Sequence, residues 1–440
     1  MKNFQAETNP IALRCRGRII RRLIPYLFVL YVIAYLDRVN VAFAVVGGMK
    51  DDLKFTDGVI GLGAGIFFVG YVLLEIPGTI LVEKWTARGW IARIMISWGI
   101  LAMLTGFVQT KNQFYIIRFL LGAAEAGFFP GIIVYLSHWF RNQDRAKAVA
   151  MLMTAVSVSN IVGSPMSGLL LKINWLGMAG WRWMFILEGF PAIIMGIVTL
   201  FYLTDWPHQA KWLPEDEKQW LIATLAKENL SKHGQHSHSI VQSIKEAFRH
   251  PQVLILTLAY FFMVTAVYGL NFWIPSIVKS LSGLSNLMVS LISALPYCVG
   301  FVTILIVGWH SDKTQERRWH TALAMMTASL GLLMSAVFRS YAPLAIAMLC
   351  VTGAGMAGYL PGFWALPTSF LTGTTAAASI GLINSFGNLG GFVGPFVVGK
   401  LSTLTGSYFG GVLYLSASAL IAAFLILLLR ATRKEPVGSQ

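Results

Sequence analysis

Six ionisable side chains stand inside long apolar runs of this 440-residue chain: Asp37, Arg38, Glu75, Arg118, Glu125 and Glu188. An ionisable group at the middle of a bilayer costs at least about 2.5–3.5 kcal/mol on insertion scales, so its retention points to function. The chemistry within reach is proton uptake and release by carboxyls, and capture of an anion by a planar guanidinium that can donate two hydrogen bonds at once. Arg118 and Glu125 lie seven residues apart, on one helical face but about 10.5 Å apart along the axis at about 1.5 Å per residue. Each therefore needs a partner on another helix. Asp37 and Arg38 are neighbours that point about 100° apart and seek separate partners. The reading is that Asp37 faces Arg118 and Arg38 is left for a substrate carboxylate. Glu125 sits in an apolar, glycine-flanked stretch that disfavours a bare carboxylate, which suits it to carry a proton. Asp37 and Arg118 have a structural alternative as a pair that locks two helices together. Glu75 precedes Ile76-Pro77-Gly78 and Glu188 precedes Gly189-Phe190-Pro191; both read as positions at helix bends rather than transport acids.

The elements that position these groups follow from composition. Hydrophobic residues make up 56% of the chain and charged residues only 12%, with mean hydropathy +0.66, whereas a soluble protein carries roughly 25% charged residues. Such a chain cannot cover a water-facing surface, so its solvent is lipid. Runs of about 20 apolar residues, the length that crosses a hydrocarbon core, predict twelve spans near 23–47, 58–82, 91–109, 113–137, 147–171, 183–204, 252–277, 287–309, 320–337, 342–370, 376–399 and 408–430. The segment 205–250 is polar, with Leu213-Pro-Glu-Asp-Glu-Lys218 as a helix start, and divides the spans six and six. The expected fold is an all-α membrane protein of two pseudo-symmetric six-helix bundles, residues 1–204 and 251–440, joined by a cytoplasmic linker.

The net charge of +15 does not indicate nucleic acid, because the basic residues cluster in short loops between spans, as beside an anionic membrane face. With the N-terminus inside, 24 of the 34 lysines and arginines fall on the cytoplasmic side and 8 outside. Both termini are therefore expected in the cytoplasm, with no cleaved signal peptide. The halves also repeat. Gly122-Ala-Ala-Glu-Ala-Gly-Phe-Phe-Pro-Gly131 in the fourth span matches Gly353-Ala-Gly-Met-Ala-Gly-Tyr-Leu-Pro-Gly362 in the tenth. Asn160-Ile-Val-Gly163 is echoed by Asn388-Leu-Gly-Gly391, and Gly78 with Glu83-Lys84 loosely by Gly308 with Asp312-Lys313. Parallel six-helix repeats are a plan of secondary transporters, which hold substrate near the midplane between the halves. All six intramembrane charges lie in the first half; the second offers Tyr260, Tyr268, Asn271, Trp273, Tyr297, Trp364, Asn384 and Asn388.

These features resemble the major facilitator superfamily and, within it, the anion:cation symporter family of tartrate, phthalate and hydroxyphenylacetate type. The resemblance rests on Tyr35-Leu-Asp-Arg-Val-Asn40, Ala87-Arg-Gly-Trp-Ile-Ala-Arg93, Arg118-Phe-Leu-Leu-Gly-Ala-Ala-Glu-Ala-Gly-Phe-Phe-Pro-Gly131, Trp181-Arg-Trp-Met-Phe-Ile-Leu-Glu-Gly189 and His310-Ser-Asp-Lys-Thr-Gln-Glu-Arg-Arg-Trp-His320. It implies that acids at the positions of Asp37 and Glu125 carry protons and that Arg38 and Tyr71 contact substrate. Trp364 and Asn384 match C-terminal substrate contacts by position. Tyr71, Trp364 and Asn384 have interior packing as their alternative reading.

The expected activity is uptake of a small organic acid with protons, by a monomer of the inner (plasma) membrane. A sodium-coupled or exchange transporter and a non-transporting receptor stay open as alternatives. No phosphate-binding Gly-x-x-x-x-Gly-Lys-Ser/Thr loop is present, so an ATP-driven pump is not expected. The spans contain no nucleophile–base motif and no metal-ligand cluster, so neither an enzyme nor a cofactor or metal is expected. The three cysteines are scattered, and the histidines at 233, 236 and 238 read as part of a solvated linker. The loop charges Glu83, Arg88, Arg93, Asp312, Arg317 and Arg318 are expected to latch helix ends in one conformation.

Overall fold

The computed structural model describes residues 9–84, 86–233, 249–367 and 373–429. Among them twelve helices are long and apolar enough to cross a membrane, and every span expected from hydropathy has its counterpart. We number them span 1 (Pro10–Asp52), span 2 (helix Asp57–Lys84), span 3 (Ala87–Thr105), span 4 (Lys111–Ser137), span 5 (Asn142–Leu170) and span 6 (Gly180–Tyr202). The second half holds span 7 (Pro251–Ser282), span 8 (Asn286–Thr314), span 9 (Arg318–Val337), span 10 (Ala342–Ala365), span 11 (Ser379–Thr405) and span 12 (Phe409–Leu428). The histidines at 236 and 238 lie outside the described residues, as do the side chains of Glu83, Lys84 and His233.

Span 1 begins well before the expected position 23. Its basic residues are not a free tail but the first turns of the helix, held by acids from elsewhere. Arg18 donates to Glu217 at 3.0 Å and Arg14 to Asp216 at 3.3 Å, both on the connecting helix Glu215–His233, while Arg16 meets Asp144 of span 5 at 3.2 Å. The segment between the halves thus carries a helix that docks on the first half. The connecting helix also starts with acids at its N-terminus, where Lys218 and Gln219 hydrogen-bond Glu215 and hold its carboxyl below the usual range.

The repeat read from sequence has a physical counterpart. Helices cross closely only where a small residue lets two backbones approach. In the first half Gly122 of span 4 lies against span 2, where a Cβ would come within 3.1 Å of the Tyr71 nitrogen. In the second half Gly353, its match in span 10, lies against span 8; a Cβ on Gly300 there would stand 2.9 Å from the Gly353 carbonyl oxygen. Equivalent glycines make equivalent crossings.

Span 4 departs from its repeat partner in one respect. Its first helix stops at Glu125; Ala126 is extended (φ −53°, ψ 132°) and Gly127 is left-handed (φ 83°) before a second helix runs Phe128–Ser137. A left-handed residue favours glycine, which has no Cβ to clash. Span 10 runs unbroken from Ala342 to Ala365.

The halves meet where span 2 lies along span 11, span 5 along span 8 and span 1 along span 7. At the end of the bundle away from the termini, Ser402 donates to Asp57 at 2.7 Å, Thr403 accepts from the Gly58 nitrogen at 2.8 Å, and Lys50 pairs with Asp57 at 2.7 Å. Near the termini, the ion pairs among the described residues stay within one half or reach the connecting segment: Arg141–Asp144, Arg88–Asp205 and Arg317–Asp312. The molecule is therefore fastened at its far face.

Candidate functional site

The centre of the site is an ion pair between spans 1 and 4. Arg38 Nε donates to Glu125 Oε1 at 2.6 Å, and Arg38 Nη2 also pairs with the same carboxylate. Glu125 is 2% exposed. The break in span 4 puts this carboxyl at the end of a half-helix, beside freed backbone carbonyls; Arg93 donates to the carbonyl of Ala124 at 3.4 Å. Irregular backbone at membrane depth is tolerated where protein surrounds it or where it lines a cavity.

Aromatic rings surround the guanidinium. The rings of Tyr35, Tyr71 and Phe67 lie 4.9, 5.3 and 5.8 Å from the Arg38 carbon, within cation–π range. Tyr35 and Tyr268 accept from Arg38 Nη1 at 3.5 Å each. Tyr268 belongs to span 7, so the cage already includes the other half, and its ring meets Phe68 of span 2 edge-on at 4.6 Å.

The expected pairing of Asp37 with Arg118 is not formed as an ion pair. Asp37 instead accepts from Asn40 Nδ2 at 2.8 Å. Arg118 donates to the Gly63 carbonyl at 3.4 Å and stacks over Phe67 at 4.9 Å; it acts on Glu125 and Asp37 through space. Nor is Arg38 left free, since Glu125 holds it. The axial separation of Arg118 and Glu125 stands, but the rotation of span 1 gives its arginine, not its aspartate, the close partner on span 4.

Tyr71 lies over Arg38, its ring 5.3 Å from the guanidinium carbon. Trp364 meets Tyr260 edge-on at 5.1 Å, both from the second half. Asn384 does not touch Arg38; it donates to Glu75 at 3.4 Å, across the two halves. Glu75, expected at a helix bend, therefore faces the interface, and Arg38 acts on it electrostatically. Its spacing of four from Tyr71 puts both on one face of span 2, a signal present in the sequence. Tyr35 and Tyr268 were likewise visible, one inside the Tyr35-Leu-Asp-Arg motif and one among the second half's polar residues. Glu188 accepts from Ser167 of span 5 at 2.9 Å.

A buried charge pair in an aromatic cage, set between two six-helix halves, is the arrangement to compare with known membrane proteins. The model of the Major Facilitator Superfamily matches residues 27–395. A protein of Agrobacterium vitis named "Putative tartrate transporter" is 45% identical over 426 residues, covering 97% of this chain and 96% of its own. A second protein of that organism with the same name is 45% identical over 434 residues, covering 98% and 95%. The crystal structure of a D-xylose-proton symporter superposes with a TM-score of 0.74 at 14% identity, covering 93% of this chain and 97% of its own. The chain belongs to the Major Facilitator Superfamily, in the branch that contains these tartrate-named proteins. It is a multi-pass membrane protein and a secondary transporter of small organic substrates, not an enzyme.

Proposed function

We propose that the protein imports a small organic carboxylate, tartrate-like in the first instance, by proton symport. The single observation that carries this is the Arg38–Glu125 pair inside its aromatic cage. A guanidinium held by a resident carboxylate can take an incoming one only if the resident lets go. Protonation of Glu125 removes its charge and releases Arg38, which then grips the substrate carboxylate with two parallel hydrogen bonds. Arg118 stays beside the emptied position and compensates Asp37, the second proton acceptor. Tyr71 and Tyr268 cover the body of the anion. Trp364 with Tyr260, and Asn384 with Glu75, supply the wall from the facing half. Residues 1–204 and 251–440 rock as two bodies about this point, with 205–250 as the cytoplasmic connection, in the plasma (inner) membrane and as a monomer. With the termini in the cytoplasm, a molecule fastened by Asp57, Ser402 and Thr403 is closed to the outside and faces inward.

The test is uptake of labelled tartrate, and of a panel of small carboxylates, into proteoliposomes under an imposed inward proton gradient. Accumulation without sodium, lost in Glu125→Gln and Asp37→Asn, is the expected result. If both variants still accumulate substrate against its gradient, the proton assignment is wrong. A requirement for sodium or for an internal counter-anion replaces symport with those mechanisms, and binding without flux replaces transport with reception.

A further inference from the structure

Beside the Arg38–Glu125 pair, next to Asp37, lies a buried acid that the proposed cycle does not use. Glu188 of span 6 is 5% exposed and Asp37 of span 1 is 1% exposed. Asn40 stands between them: its amide nitrogen donates to Asp37 Oδ1 at 2.8 Å, and its side chain also bears on Glu188. Span 5 contributes Ser167, whose hydroxyl donates to Glu188 Oε1 at 2.9 Å. Span 3, the remaining helix packed on span 6, meets it around Gly189 with Gly99 and Met103. Span 4 supplies Glu125 and Arg118, which act on Asp37 through space.

The charges around this group do not balance. Two guanidiniums serve three carboxyls. Arg38 is engaged by Glu125, and Arg118 acts on Glu125 and Asp37. Among the described residues no cation comes within 4.0 Å of Glu188. A bare carboxylate without a cation at this depth is strongly disfavoured. The hydrogen bonds leave room for one proton here: Asp37 Oδ1 receives the Asn40 amide N–H and Glu188 Oε1 the Ser167 O–H, while Asp37 Oδ2, Glu188 Oε2 and Asn40 Oδ1 are all buried without a protein partner. A hydrogen on Glu188 Oε2 turns one of those acceptors into a donor, and it belongs on Glu188 because the charge of Arg118 acts on Asp37 and not on Glu188.

We propose that Glu188 holds an exchangeable proton in this conformation and forms with Asp37, through Asn40, a second proton site distinct from Glu125. This rests on the proton-symport reading above. When the site exchanges, Glu188 gives up its proton and becomes a carboxylate while Asp37 takes one and becomes neutral, so the net charge of the pair is conserved. The amide of Asn40 then donates to whichever oxygen is ionised. Glu188 is thus a proton carrier rather than a helix-bend residue.

Infrared difference spectroscopy on the resting, purified full-length protein tests the first half of this. The carbonyl stretch of a buried protonated carboxyl is expected at neutral pH, absent in Glu188→Gln and retained in Glu125→Gln; a band that Glu188→Gln leaves intact overturns the proposal. The second half is tested by counting protons taken up when tartrate is added to detergent-solubilised protein in weak buffer. Glu188→Gln removes the internal donor, so Asp37 must draw its proton from the medium, and the count is expected to rise by about one per substrate bound. Uptake in the wild type that Glu188→Gln leaves unchanged overturns this proposal alone, whereas no uptake in the wild type overturns the symport reading together with it. Asn40→Ser keeps both carboxyls and is expected to shift the pH dependence of uptake without lowering its number. An unshifted profile also counts against the site.

Discussion

Spans 4 and 10 are copies of one sequence plan put to different uses. Both carry Gly-x-x-x-Ala-Gly followed by Pro-Gly, and both cross a neighbouring helix at the first glycine. Span 4 has Glu125 where span 10 has Met356, and it breaks at Gly127 where span 10 continues through Gly358. The glycine that permits a left-handed turn is present in both, so glycine alone does not break the helix. What differs is the buried acid before it and the arginine that the acid must meet on span 1. One half holds the buried charges, and the other meets them with uncharged side chains.

The comparison can be broken most severely at Arg38. Arg38→Ala leaves Glu125 buried without its cation, a loss on the order of 3–5 kcal/mol for a broken buried pair. It should abolish carboxylate binding in a thermal-shift or isothermal assay, and intact affinity would remove Arg38 from the site. Next comes Met356→Glu, which gives span 10 the acid of span 4 without an arginine to meet it. The expected cost is about 2.5–3.5 kcal/mol, read as a lower melting temperature and loss of monodisperse protein on gel filtration. A stable Met356→Glu protein would mean that the second half already holds a counter-charge.

A sharper contrast uses the paired glycines. Gly127→Ala places a Cβ on a residue with φ 83°, within 3.3 Å of Gly78 backbone, and should destabilise by about 1–2 kcal/mol. Gly358→Ala sits in regular helix, where the new Cβ meets only side-chain methyls at 3.3–3.5 Å, and should be near neutral or slightly stabilising. Equal effects would show that the break does not depend on the left-handed residue. The smallest change expected is Ser402→Ala. It removes one hydrogen bond onto Asp57 while Lys50 remains, about 0.5–1.5 kcal/mol, and should raise labelling of a cysteine placed near residue 61 from the far face.

Much of this was legible in the sequence, for definite reasons. The spans follow from the length of apolar runs, and the duplicated plan from the Gly122 and Gly353 motifs, because glycine at a crossing is a steric requirement. The candidate charges are visible because lipid makes each of them expensive. Their pairing was not visible. Asp37 and Arg38 differ by one residue, so which of them faces span 4 depends on the rotation of span 1. Contacts far along the chain accompany that rotation, with Arg14, Arg16 and Arg18 on acids of the connecting helix and span 5. Glu75 escaped for a different reason: the Pro77-Gly78 that follows it suggests a bend, while its facing of Asn384 depends on how the two halves dock.

The ion pair at the centre has a consequence for selectivity. In the proposed cycle Glu125 is a tethered competitor, already seated on the group that a substrate carboxylate must win. The affinity observed at equilibrium is then the intrinsic affinity multiplied by the fraction of molecules in which that competitor has let go. Each tenfold drop in that fraction weakens apparent binding by about 1.4 kcal/mol. Amide or ester analogues of a good substrate gain nothing from displacing it, since they would leave a buried guanidinium facing a neutral group. A carrier working by that cycle would reject uncharged look-alikes without a single steric clash.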